Sequence, residues 1–143
     1  MTNEIALSDQ AKSTIKIAAY GAITLLSAAG AVGGSPHKIS TRGSIALGSA
    51  TGVVGHVLAD YPKHKELTGK SVAEIADRVL PALTEAMGLL KTESPAEADN
   101  FRGTVLTAIE AATEGSKPNP VITDMTRKIT NALDAATNAL ASL

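Results

Sequence analysis

Apolar positions follow two different patterns along the 143-residue chain. From Ile15 to Leu58 they run almost without interruption. Ala18, Ala19, Tyr20, Gly21, Ala22 and Ile23 follow one another, then Leu25, Leu26, Ala28 and Ala29, and no charge falls between Lys16 and Lys38. A helix apolar all round is buried on every side or lies in lipid. The second half of the stretch repeats the theme with more glycine, at Gly43, Gly48, Gly52 and Gly55. The pattern predicts a hairpin of two Ala/Gly-rich helices. The first is capped by Ser8 and ends near Ala29, with Gly30 at its C′ position. The second runs from about Thr41 to Asp60, and the fold-back is at Gly33–Gly34–Ser35–Pro36. Gly48 and Gly52 would then lie one turn apart and leave a groove for close backbone approach.

After Pro62 the pattern becomes amphipathic. Tyr61 to Lys70 reads as a polar loop. Ser71-Val-Ala-Glu74 is a capping box that opens a third helix. Its apolar stripe is Val72, Ile75, Ala76, Val79, Leu83, Ala86, Met87 and Leu90, and Pro81 in its middle predicts a kink. Ser94-Pro-Ala-Glu97 opens a fourth helix, which buries Ala98, Phe101, Val105, Ala108, Ile109 and Ala112 and stops at Gly115. Ser116 to Pro120 is a linker. The last helix carries Ile122, Met125, Ile129, Ala132, Ala136, Ala139 and Leu143, close to heptad spacing, with Leu133 and Leu140 widening the stripe. That stripe reads as an internal packing face, with a dimer seam as the alternative. Residues 1–7 form a loose arm. The whole is one all-α domain, 1–143, a bundle of about five helices around the central hairpin.

Composition narrows the function classes. With 13 Lys+Arg against 14 Asp+Glu, no field of either sign favours nucleic acid or anionic lipid. Aromatics at 2% leave no stacking platform for single-stranded nucleic acid. The absence of Cys excludes disulfides and thiolate chemistry and fits a reducing cytosol. Lys12 and Lys16 before a run ending Ala29-Gly30-Ala31 have the outline of a secretion signal. Glu4 and Asp9 do not suit its basic leader, so the run is read as part of the fold.

Three groups of residues invite chemistry. His56, Asp60 and His64 are spaced i, i+4, i+8, a ligand row for a divalent metal if the helix were continuous, but Pro62 interrupts it. Lys38, Ser40, Thr41 and Arg42 lie near the start of the second helix, where backbone N–H groups hold anions. The preceding Gly33–Lys38 stretch lacks phosphate-loop spacing. Paired carboxylates at Glu74/Asp77, Glu97/Asp99 and Glu110/Glu114 read as solvated faces. No nucleophile elbow and no dinucleotide fingerprint occurs, and no cofactor is expected.

Ile23-Thr-Leu-Leu-Ser-Ala-Ala-Gly30, the Gly33–Gly34 turn and Ile39-Ser-Thr-Arg-Gly43, together with Ser94-Pro-Ala-Glu-Ala-Asp-Asn-Phe-Arg102 and Ile109-Glu-Ala-Ala-Thr-Glu-Gly115, resemble small bacterial helical domains related to the tellurite-resistance TerB family. The resemblance implies an all-helical fold. That family carries acidic residues around its interhelical turn, associated with metal. The turn here, Gly33-Gly-Ser-Pro-His-Lys38, has none, so no metal role transfers.

The leading expectation is a non-enzymatic, soluble interaction or assembly module of a bacterial cytosol. It would contact a protein partner, or itself, through the Ala-rich last helix or the His37–Arg42 segment. One alternative is a membrane-active protein inserting the 15–58 hairpin. A spanning helix needs about 20 apolar residues, and His37, Lys38, Arg42 and His56 near the hairpin's middle oppose it, as does the missing aromatic belt. Another alternative is a small-ligand or metal-binding helical domain, with an apolar ligand at the Gly48/Gly52 groove.

Overall fold

Ser8 accepts a hydrogen bond from the Ala11 amide at 3.0 Å and starts α1, Asp9–Ala29. The computed structural model describes residues 7–30, 36–60, 62, 71–114 and 119–141. The remaining elements are α2 (Pro36–Gly48), α3 (Gly52–Leu58), α4 (Val72–Glu93), α5 (Pro95–Thr113) and α6 (Pro120–Ala141). The protein is all-α, and no strand occurs among the described residues.

The continuous apolar run of α1 becomes burial on every side. Ala18 to Ile23 are six consecutive buried residues, more than a full turn. α1 packs against every other described helix, most extensively α4 and then α2. Glycine brings these neighbours close. A Cβ at Gly21 would stand 2.6 Å from Val79 Cγ2 of α4, and one at Gly43 of α2 would meet three Ile23 atoms within 2.9 Å. Gly30 acts in the same way. Its φ is −75°, not left-handed as a C′ glycine would be, and a Cβ there would fall 2.6 Å from Ile39 Cδ1.

The amphipathic stripes turn inward as their spacing requires. Val79, Leu83, Ala86, Met87 and Leu90 of α4 are buried, as are all six expected residues of α5. Ile122, Met125, Ile129 and Leu133 of α6 are buried too. The Ser71 and Ser94 hydroxyls accept from the Glu74 and Glu97 amides, so both helix starts fall where the capping boxes put them. Pro81 lies inside α4 on its exposed side, and the helix continues through it.

The long second helix is a correction. α2 starts at Pro36, five residues before Thr41, because proline suits the first helical position. It ends at Gly48. Gly48-Ser49 and Thr51-Gly52 place poor helix formers on both sides of Ala50, and Gly52 takes φ +73°, which leaves the helical path and which only glycine adopts without strain. α2 itself is one-sided: Ile39, Gly43 and Leu47, at i, i+4, i+8, face the core. The Gly33–Ser35 part of the turn, the 1–6 arm, most of the Tyr61–Lys70 loop, residues 115–118 and the side chains from Ala136 onward lie outside the described residues.

Candidate functional site

Thr51 precedes α3 without bonding it through its side chain. The first turn of α3 is capped instead from α5. Glu97 Oε1 accepts from the Val54 amide at 3.1 Å and from Asn100 Nδ2 at 3.3 Å, and Asn100 Nδ2 also donates to the Thr51 carbonyl at 2.9 Å. A carboxylate against these amides meets the positive end of the helix. Glu97, expected as a solvated charge, is therefore a cap for another helix. At the far end of α3, Tyr20 Oη donates to the Leu58 carbonyl at 2.6 Å, and Lys16 Nζ lies 3.0 Å from Asp60 Oδ2.

These contacts involve several residues of the expected sites. Of the metal row, His56 is exposed on α3, Asp60 is paired with Lys16, and His64 lies outside the described residues. Among the described residues no group of three His, Cys, Asp or Glu side chains stands in metal-binding proximity. Of the anion set, Lys38 is in the first turn of α2 and exposed, while Ser40, Thr41 and Arg42 fall further into the helix than a start at Thr41 would place them. Arg42 turns away from that end: its guanidinium donates to the Glu114 carbonyl at 2.8 Å, at the C-terminal end of α5. A cation there meets the negative helix end. Gly48 and Gly52 sit in different helices. Gly48 is exposed, and nothing lies within 4 Å of where its Cβ would stand, so the groove expected between them does not form.

What the break creates is a cleft of about 650 Å³ between the end of α2 and the outer face of α5. Ala46, Ser49, Ala50 and Thr51 line one side; Asp99, Asn100, Gly103, Thr104 and Thr107 line the other. Gly103 leaves its floor open, since a Cβ there would also meet nothing within 4 Å. Ile45, the residue before the lining Ala46, is 65% exposed, the most exposed large apolar side chain among the described residues. A second cleft of about 540 Å³, between the start of α1 and the second half of α4, is lined by Leu7, Ser8, Ala11, Gly88 and Leu89 with Glu85 and Glu93 at its edge.

Across the opposite flank of α5, Arg102 grips Asp134 of α6 with two hydrogen bonds of 2.8 and 3.2 Å. The bond to Arg102 holds the Asp134 carboxyl below the usual Asp value, against the opposing effect of burial, and raises the Arg102 guanidinium correspondingly. No charged side chain is buried among the described residues, and the hydroxyl of the buried Tyr20 is bonded to the Leu58 carbonyl. Nor is any described helix long and apolar enough to cross a membrane.

Sequence reasoning missed Ile45, Gly103, the Glu97 cap and the Arg102–Asp134 pair. A signal for Ile45 was present. With Ile39, Gly43 and Leu47 facing the core, a helical period of 3.6 places position 45 on the opposite face. The Glu97 cap and the ion pair join residues far apart in sequence and left no local trace. Compared with known proteins, the chain matches no family model, no curated protein and no solved structure.

Proposed function

We propose that this chain is a non-enzymatic helical interaction module that engages a protein through the outward face of α2 and α5. The observation that carries the reading is Ile45, 65% exposed on α2 next in sequence to Ala46, which lines a cleft shared with Gly103. A single exposed apolar residue is ordinary on a protein surface. An exposed isoleucine on the same outward side as an open, small-residue cleft offers a partner both a knob and a gap. This face takes in Lys38 and Arg42 of the expected His37–Arg42 surface and leaves out the last helix. The His37–Arg42 segment is helical, with Ile39 buried and Arg42 engaged at the end of α5. The described stripe of α6 is turned into the core. A chain without cysteine suits the cytosol as the setting. The reading takes no residue role from the TerB resemblance.

The test is a photo-crosslinking amino acid placed at position 45 in the living host, with Thr123, exposed on α6, as the control position. A discrete adduct from position 45, absent from position 123 and lost in Gly103→Arg, is expected. Equal or absent crosslinking at the two positions refutes the reading.

A further inference from the structure

The α2–α5 face is complementary to itself. α2 and α5 run antiparallel: Arg42 meets the end of α5 at Glu114, Ala46 shares the cleft with Thr107 and Gly103, and Thr51 meets Asn100. On the outward side of α2, Lys38, Arg42, Ile45 and Ser49 follow at i, i+4, i+7, i+11. On the outward side of α5, Gly103, Thr107, Glu110 and Glu114 repeat the same spacing, and all eight residues are exposed. One helix thus presents two cations and an apolar knob, and its neighbour presents a gap and two carboxylates at matching heights.

We infer that the occupant of this face is a second copy of the chain, related by a two-fold axis running along the groove between α2 and α5. The inference rests on the proposed interaction role of that face and names its partner. Rotation about such an axis sets α2 of one copy against α5 of the other at the same height. Ile45 then enters the Gly103–Thr107 gap of the second copy, while the second Ile45 enters the first gap. Lys38 then faces Glu114 of the other copy, and Arg42, while keeping its bond to its own Glu114 carbonyl, faces Glu110 of the other copy. Contacts of this kind occur in pairs, as an isologous interface requires. A rotation axis across the helices instead would set Lys38 and Arg42 against the uncharged Gly48–Thr51 end and leave the carboxylates of α5 facing one another's helix without a cation. The charges therefore select the first arrangement.

Sedimentation equilibrium of the purified, untagged, full chain tests this. The expected result is a concentration-dependent rise from 14.5 kDa to twice that mass. Ile45→Asp should remain monomeric over the same range with an unchanged circular dichroism spectrum. Lys38→Glu and Glu114→Lys each reverse one exposed charge and should weaken association about 2- to 5-fold. The double variant should recover wild-type association, which a general loss of stability would not do. A wild-type chain monomeric at every concentration, or a dimer indifferent to Ile45→Asp, overturns the inference. If the chain is monomeric in isolation while position 45 still crosslinks in the host to a protein of another mass, the second-copy assignment falls and the interaction role stands.

Discussion

At the scale of single residues, the decisive positions are those where two helices nearly touch. A Cβ at Gly43 would stand 2.7 Å from Ile23 Cδ1 and Cγ2. Ile23 is buried and β-branched, so it has little freedom to move aside. Gly43→Ala should therefore destabilise the protein by about 1–3 kcal/mol through overpacking, reduced by the roughly 1 kcal/mol that Ala gains over Gly in a helix. Gly88 in the middle of α4 has open space at its Cβ position. Gly88→Ala should raise stability by about 0.5–1 kcal/mol. Opposite signs in urea denaturation would bear out the contrast, and a gain at both positions would contradict it. Asp134 makes a pH prediction. Its carboxyl is held below the usual Asp value, first by its hydrogen bonds to Arg102. A group depressed in the folded state adds stability that is complete above its unfolded value and is lost as the pH falls through its folded one. The difference in melting temperature between wild type and Asp134→Asn should thus be constant near neutrality and shrink below about pH 4. With both partners 38% exposed, the difference stays small, under about 1 kcal/mol. A gap that widens in acid would show that the pair is not what Asp134 contributes.

At the scale of elements, the helices divide into those that hold themselves and one that is held. α4 and α5 carry their own serine caps, and their inward stripes follow the 3.6 period. They were legible in the sequence for that reason: caps and periodicity are local. α3 was not legible, because its start depends on Glu97, 43 residues away at Val54, and its end on the Tyr20 hydroxyl, 38 residues away from Leu58. An apolar, glycine-rich stretch also reads as one helix when nothing local reports where tertiary contacts divide it. Glu97→Ala should cost about 0.5–2 kcal/mol, as other cap deletions do, and Glu97→Gln less, since its amide oxygen still accepts. Amide exchange should localise the loss: protection in Gly55–Leu58 falls in Glu97→Ala while that of α4 is unchanged. Uniform loss across all helices would argue against a local cap. The middle of α1, buried on all sides from Ala18 to Ile23, should exchange last, at the rate of global unfolding.

At the scale of the whole molecule, the bundle separates two tasks. α1 is enclosed by the other helices and forms the interior, which contains no buried charge among the described residues. What is left for function is the outside, where Ile45, the Gly103 cleft and the matched charges of α2 and α5 share one face. All-helical architecture was readable from the unbroken apolar run and the amphipathic stripes that follow it. The face was not, because it depends on which sides of α2 and α5 are brought together, and that is set by the break at Ser49–Thr51 and the Arg42 contact with Glu114. The candidate metal and anion residues were plausible only along a continuous second helix starting at Thr41. Among the described residues, Asp60 is paired with Lys16 and Arg42 with the end of α5, and His64 lies outside them. The central claim is that this protein acts through protein contact at its surface. Native mass spectrometry of the untagged chain, purified from its host without detergent, tests that claim most directly. The account predicts a species carrying additional protein mass, a second copy or another chain, that dissociates in Ile45→Asp. A bare chain at every concentration, or one whose added mass is lipid or a small ligand untouched by Ile45→Asp, would contradict it.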